Sequence, residues 1–77
     1  MSEQTLGQRR VRVDFSPSEK ALVRYVKLAQ ADNIDVYERY KNEATDPEEK
    51  RLWALAQTAA EEAAMWAVKA ATYEGGA

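Results

Sequence analysis

The sequence of 77 residues contains no cysteine and no histidine. Without cysteine the chain has no disulfides to support a small core, and without histidine it lacks the commonest transition-metal ligand. No apolar run approaches the ~20 residues that span a bilayer, and the polar N-terminus has no apolar segment of a secretory signal. We therefore expect a protein of the reducing cytoplasm, with no metal or other cofactor and no membrane partner.

Glycine and net charge are also scarce. The three glycines, Gly7, Gly75 and Gly76, lie near the chain ends, so no glycine-rich loop is available to hold phosphates. The net charge is −2 with acidic and basic residues interspersed, which argues against binding to a nucleic acid polymer. The many carboxylates are typical of solvated helix faces. Hydrolytic and metal chemistries are poorly supported, and we expect no enzymatic activity.

Two similar helix starts divide the chain. The segment Ser16-Pro17-Ser18-Glu19 offers a capping serine, a proline at the first helical position and a glutamate that returns a bond to the cap residue. The device recurs at residues 46–49, and the short connection before it favours antiparallel neighbours. The prediction is a single all-α domain, an antiparallel two-helix hairpin with an N-terminal arm over residues 1–15, a first helix over 16–44 and a second over 46–74, stopped by Gly75-Gly76.

Both predicted helices carry an apolar heptad stripe suited to packing along another helix. In the second helix the stripe comprises Leu52, Ala56, Ala59, Ala63, Trp66, Ala70 and Tyr73. In the first helix it comprises Leu22, Val26, Ala29, Asn33, Val36 and Tyr40. Asn33 interrupts an apolar row, as buried asparagines that fix register do. One partner helix cannot cover so much apolar surface in a chain near the lower size limit for a core, so we expect a homo-oligomer.

The arm is expected to be extended or short-helical. Valine and arginine alternate from Arg9 to Phe15, which suits an extended segment with apolar residues on one side. The simpler interpretation lays that side on a helix and leaves the arginines in solvent. In the alternative, Arg10 and Arg12 bind an anion in a shared pocket, because guanidinium groups match such ligands well.

An antiparallel hairpin brings the basic arm close to the end of the second helix. Cations and aromatic rings then share one end of the molecule, as in a nucleotide pocket, where rings stack on bases and cations hold phosphates. The residues are Arg10, Arg12, Phe15, Lys27, Trp66, Lys69, Thr72 and Tyr73. Considered alone, Lys69 in its apolar stretch is explained more simply by a side chain that extends its ammonium to water than by a ligand contact.

Four segments of the sequence resemble those of a known protein family. The segments are RRVRVDFSPS, the pattern V-x-x-V-K-x-x-x-A-x-x-I-D at residues 23–35, DPEEKRLWALAQT and EEAAMWAVKAAT. Together they resemble the phage helical-hairpin family that sequesters cyclic-nucleotide immune signals and includes anti-CBASS and anti-Thoeris proteins. The resemblance implies a non-catalytic homo-oligomer, a hexamer in better-studied members, that binds cyclic di- or trinucleotides between protomers in the cytoplasm of an infected bacterial host.

The resemblance also implies roles for individual residues. Lys27 would contact a phosphate. Phe15 and Pro17 would shape a base-stacking wall, with Arg12 on the arm beside them. Lys69 and Thr72 would belong to a second pocket. Ser16 stands where the family pattern has asparagine, so a ligand bond from that position would change. Members that bind cyclic ADP-ribose-type signals carry an extra C-terminal region, which here favours the expectation of a cyclic oligonucleotide.

Two other functions stay open at the level of sequence. An adaptor hairpin would use Trp66, Met65 and the alanines only to pair with other helices. A small DNA-binding regulator would use Arg9, Arg10 and Arg12 as an arm, although the acidic charge and the absence of a basic recognition helix oppose it. A defined homo-oligomer that binds a nucleotide would separate sequestration from both.

Overall fold

A computed structural model describes residues 3–14 and 19–74 of the chain. Three helices form in this part of the molecule, α1 (Leu6–Arg10), α2 (Ala21–Glu43) and α3 (Pro47–Ala71), and no strand occurs among the described residues. Helices α2 and α3 form the hairpin, and α1 packs on α2. The predicted all-helical hairpin is thus confirmed, and residues 6–10 of the arm are short-helical rather than extended.

The start of α3 follows directly from its sequence. Asp46 is the N-cap, and its carboxylate accepts a hydrogen bond from the Glu48 N–H at 2.9 Å. Pro47 occupies the first helical position, where no N–H is required, and Glu48 and Glu49 place negative charge near the positive end of the helix. The helix ends at Ala71, before the predicted boundary at residue 74, and Thr72 is its C-cap.

The predicted start of α2 is wrong. The helix begins at Ala21 with Lys20 as the N-cap, so Glu19 lies outside it in a bend. The carboxylate of Glu19 was expected to bond back to a cap residue, but it pairs with Lys27 and Arg24 in α2 instead. Residues 16–18, which carry the rest of the predicted capping motif, lie outside the described residues.

The order of contacts shows that α2 and α3 are antiparallel. Near the end of α2, Tyr40 stacks on Trp53 of α3 with ring centroids 5.5 Å apart. Ile34 lies earlier in α2, and its carbonyl accepts a hydrogen bond at 3.1 Å from Gln57, which lies later in α3. The connection between the helices is short, and Ala44 within it is buried. The closed end of the hairpin is therefore an aromatic cluster, and the open end holds the start of α2 and the end of α3.

The core is small and lies where α1 and the following turn meet the hairpin. It contains Val11, Val13, Ala31, Ile34, Ala60 and Ala64, with Leu6, Leu28 and Tyr37 packed at its edge. The burial of Val11 and Val13 agrees with the prediction that the arm lays its apolar residues on the helices. The short side chains of Ala31, Ala60 and Ala64 at the centre leave room for the three segments to approach closely.

The two predicted heptad stripes do not form this core. Most of their residues are exposed, including Leu22, Val36 and Leu52, and Trp66 retains 64% of its accessible surface. Asn33 is also exposed and bonds to Gln30 in its own helix, so it does not fix the register within the chain. The Cα atoms extend only 12 Å in the thinnest direction, about the diameter of one helix. The hairpin is thus a single layer whose outer apolar residues stay uncovered.

Candidate functional site

The helix α1 is fixed at both its start and its centre. Thr5 accepts a hydrogen bond from the Gln8 N–H at 3.1 Å, and the Gln8 side chain accepts one from the Thr5 N–H at 3.0 Å, which is a complete capping box. The Gly7 N–H donates to the Asp35 carboxylate at 2.7 Å. A Cβ atom at Gly7 would overlap the carbonyl group of Ala31, so only glycine allows this contact between α1 and α2.

The turn after α1 has the hydrogen bonds of a Schellman motif. The Val13 N–H donates to the Gln8 carbonyl at 3.0 Å, and the Arg12 N–H donates to the Arg9 carbonyl at 3.2 Å. Arg12 occupies the left-handed position of this motif with a φ of 60°, where glycine is the usual residue. An arginine there costs about 1–2 kcal/mol of backbone strain. The exposed guanidinium is thus presented at an energetic cost, as is common at binding sites.

The cations of α2 converge on this turn. The Lys27 ammonium donates to the Arg12 carbonyl at 2.9 Å and pairs with Glu19 Oε2 at 2.7 Å. Arg24 Nε lies 3.4 Å from Glu19 Oε1 and donates to the Asp14 carbonyl at 3.3 Å. We call the residues Arg12, Asp14, Glu19, Arg24 and Lys27 the arm cluster. It contains more cationic than anionic side chains and lies where the arm meets the start of α2.

The structure brings Lys27, the residue expected to contact a phosphate, against the turn that contains Arg12. The Lys27 ammonium donates to the Arg12 carbonyl, whereas the family resemblance had placed Arg12 beside Phe15 and Pro17. Phe15 and Pro17, predicted to form a base-stacking wall, lie outside the described residues. Sequence reasoning did not include Arg24, and it assigned Glu19 to helix capping. A glutamate eight positions before a lysine gave no sign of their pairing, because that pairing depends on the bend before Ala21.

The other two predicted ligand residues lie at the C-terminal end of α3, Lys69 in its last turn and Thr72 at its C-cap. Lys69 Nζ lies 5.9 Å from the centre of the Trp66 ring, and both residues line a groove of about 370 Å³. Thr72 directs its hydroxyl to the Val68 carbonyl at 2.8 Å at the end of the helix. Met65, like Glu61, lines both this groove and a second one of about 210 Å³ beside Arg12. The two grooves are therefore adjacent, and the Arg10–Glu61 ion pair of 3.1 Å borders both.

A buried polar residue, Gln57, lies farther along the hairpin. Gln57 retains only 1% of its surface, and its amide donates to the Ile34 carbonyl at 3.1 Å and to Glu38 Oε1 at 2.9 Å. Lys41 lies 3.4 Å from the Gln57 oxygen and 3.0 Å from Glu38. The hydrogen bonds from Gln57 and then Lys41 lower the pKa of the Glu38 carboxyl. Because every partner lies in α2, this network fixes the register of α3 and is structural.

Two features, a metal-binding group and a membrane-spanning helix, are absent from the described part of the chain. Within residues 3–14 and 19–74, no group of three or more acidic residues is arranged to hold a metal ion. Among the described helices, none is long and apolar enough to cross a membrane.

Comparison with known proteins identifies the family of the chain. Residues 7–72, nearly the whole chain, match the family model described as Acb2/Tad1, hairpin domain. No curated protein and no solved structure gives a significant match. The matched segment includes all of α1 except Leu6, the Arg12 turn and both helices of the hairpin. The chain therefore belongs to the Acb2/Tad1 hairpin family, the phage helical-hairpin anti-CBASS and anti-Thoeris sponges, which are binding proteins rather than enzymes.

Proposed function

We propose that this protein sequesters cyclic oligonucleotide immune messengers, such as cyclic GMP-AMP or cyclic tri-adenylate, without altering them. Sequestration would lower the free concentration of the messenger in an infected bacterial cytoplasm and leave the host effector inactive. Membership of the sponge family supports the general function. The ligand class follows from the family resemblance, and the arm cluster supports Lys27 as the phosphate contact.

The observation that carries the proposal is the convergence of Lys27 on the Arg12 turn. The Lys27 side chain is only 16% exposed, so its ammonium is held in place rather than moving freely in solvent. A phosphodiester is a compact anion that such an ammonium can bind through charge-assisted hydrogen bonds. Arg12, which is exposed, supplies a second cationic side chain in the turn that Lys27 contacts. Phe15 and Pro17, which follow this turn in sequence, are proposed to stack against a base.

A second copy of the chain is needed to enclose a ligand of this size. One protomer is a single layer of helices, and its outer surface exposes large apolar side chains. Stable domains bury such faces against another layer, so the uncovered residues support self-association. We propose that cyclic nucleotides bind between protomers in a homo-oligomer, with the hexamer of better-studied family members as the expected form.

The groove beside Trp66 is proposed as part of a second pocket. Its wall is mostly apolar, and Lys69 supplies a cation next to an indole ring. A planar base could stack on that ring while Lys69 meets a phosphate. Thr72 is the weaker member of this pair, because its hydroxyl already donates to the Val68 carbonyl.

The proposal is tested by calorimetric titration of Lys27→Ala with cyclic GMP-AMP. We expect the affinity to fall by about tenfold or more with the oligomer mass unchanged, because a charge-assisted contact of ~1.5–3 kcal/mol is lost. Lys50→Ala is the matched control, since Lys50 is an exposed lysine in the first turn of α3. Normal binding by Lys27→Ala together with loss of assembly would assign Lys27 to structure instead of to the ligand.

A second function is favoured by one specific observation. Leu52, Leu55, Met65 and Trp66 are all exposed along α3, as expected of a hairpin that only pairs with other helices. This adaptor function needs no ligand. A well-folded chain that stays monomeric and gives no heat with either cyclic nucleotide would favour it over sequestration.

A further inference from the structure

We propose that Glu19 is an internal competitor for the phosphate at Lys27, so that ligand binding is an exchange of one anion for another. This inference rests on the proposed function, because it assumes that a phosphodiester binds at the arm cluster. It adds a residue that sets the affinity of the site without touching the bound ligand.

The geometry of Glu19 is that of a bound anion. Its two carboxylate oxygens are used separately, Oε2 by Lys27 at 2.7 Å and Oε1 by Arg24 at 3.4 Å. The Glu19 side chain is only 7% exposed, which makes it one of the better shielded carboxylates among the ion pairs of the hairpin. A phosphodiester has the same charge and likewise offers two oxygens to two cations. The carboxylate thus occupies the position in which a phosphate would be bound most tightly.

Electrostatics makes simultaneous occupancy unfavourable. Lys27 and Arg24 carry two positive charges, and Glu19 neutralises one of them, so the three groups together attract an incoming phosphate with a single net positive charge. If the carboxylate stayed in place, two negative groups would share the Lys27 ammonium in a partly desolvated site, where like charges repel strongly. The phosphate gains the full interaction with Lys27 only when Glu19 withdraws.

The backbone around Glu19 allows this withdrawal. Glu19 lies in a bend, and α2 begins only at Ala21, so the side chain can turn to solvent without breaking a helical hydrogen bond of α2. Lys27 keeps a second partner meanwhile, because the Arg12 carbonyl accepts from its ammonium at 2.9 Å. The ammonium therefore stays directed at the turn when the carboxylate leaves.

The test is the affinity of Glu19→Gln for cyclic GMP-AMP, measured by calorimetry beside Lys27→Ala. Glutamine keeps the shape of the side chain and removes the competing charge, so we expect binding to strengthen on the order of tenfold, as for loss of one charge-assisted contact. We also expect a steeper fall of affinity with added salt, since the variant site carries one more unit of positive charge. Glu43→Gln is the control, because Glu43 pairs with Arg39 on the exposed surface near the closed end.

The outcomes separate this inference from the proposed function. If Lys27→Ala binds more weakly as expected, the phosphate site stands, and the exchange is overturned by either of two results for Glu19→Gln. Weaker binding would make Glu19 a positioning residue for Lys27, and unchanged binding would show that Glu19 does not affect the site. Unchanged binding in both variants would overturn the phosphate site and, with it, the exchange. Glu19→Asp is a second test, because it keeps the negative charge but shortens the side chain that reaches Lys27. Tighter binding of cyclic GMP-AMP by this variant supports the exchange, and weaker or equal binding contradicts it.

Discussion

Arg12 allows the backbone of the site and its side chain to be tested separately. Its φ of 60° lies in the left-handed region, which costs a non-glycine residue about 1–2 kcal/mol. Arg12→Gly removes that strain, which stabilises the folded protein. It also makes the unfolded chain more flexible, which lowers the free energy of unfolding by about 0.5–1 kcal/mol. We therefore expect a net gain of about 0.5–1 kcal/mol in the free energy of unfolding. For a domain of this size, that gain raises the melting temperature by roughly 2–8 °C.

Arg12→Ala is the matched variant, because it also lacks the guanidinium but keeps the strained backbone. Arg12 is exposed, so its truncation to alanine should change stability little. Both variants should bind cyclic GMP-AMP more weakly than the wild type, and only the glycine variant should be more stable. Circular dichroism melts at one fixed protomer concentration measure the stability, since assembly makes the melting temperature depend on concentration.

A glycine variant that melts below the wild type would refute this reasoning. It would mean that the Arg12 side chain stabilises the protomer more than its backbone conformation destabilises it. Unchanged nucleotide binding in both variants would leave the turn strained for no benefit to the ligand site. The combination expected here, higher stability with lower affinity, is the usual consequence of relaxing a strained functional residue.

Three further perturbations test the fold and the assembly. Gly7→Ala should destabilise the protomer by about 1–3 kcal/mol in urea unfolding, because the new methyl group would overlap the Ala31 carbonyl; wild-type stability would show that α1 is not packed there. The Glu38 pKa is lowered on folding by Gln57 and Lys41, so its contribution is present above the unfolded value near 4.5 and is lost as pH falls through the lower folded value. Wild type should therefore lose more stability than Glu38→Gln in urea titrations below about pH 4.5, and parallel losses would contradict the network. Trp66→Ala should reduce the oligomer mass in light scattering with little change in helical content, because the ring is 64% exposed in the protomer; an unchanged mass would place Trp66 outside any interface.

The start of α3 could be predicted from sequence because its signals are local. Asp46 and Pro47 act on the first turn alone, and no distant contact competes with them. The start of α2 could not be predicted in the same way. Glu19 has two long-range partners, Lys27 and Arg24, and these draw it out of the capping role that its sequence position suggests.

The arm contained a signal that the valine–arginine alternation concealed. Thr5 and Gln8 have the spacing of a capping box, which identifies a helix start even in a short segment. The left-handed turn at Arg12 had no such signal, because arginine is not a residue that favours this conformation. Only the burial of Val11 and Val13 on either side, which requires the third dimension, explains why the turn forms.

The predicted packing face of α3 was wrong because neighbouring residues on the buried and exposed faces differ little in size. Ala60 and Ala64 face the core, whereas Ala59 and Ala63, one position away, are exposed. A hydrophobic pattern cannot distinguish these neighbours, and the large residues such as Trp66 drew the prediction to the outer face. The buried amide of Gln57 was missed for a different reason, since a polar residue is ordinarily assigned to the surface.

Whether the protein sequesters a cyclic nucleotide can be measured by calorimetric titration of the purified wild type with cyclic GMP-AMP and cyclic tri-adenylate, with light scattering on the same sample. We predict a defined homo-oligomer that binds at a fixed fraction of sites per protomer and releases the nucleotide intact on heating. A folded oligomer that gives no heat with either messenger would contradict this prediction for both of these ligands.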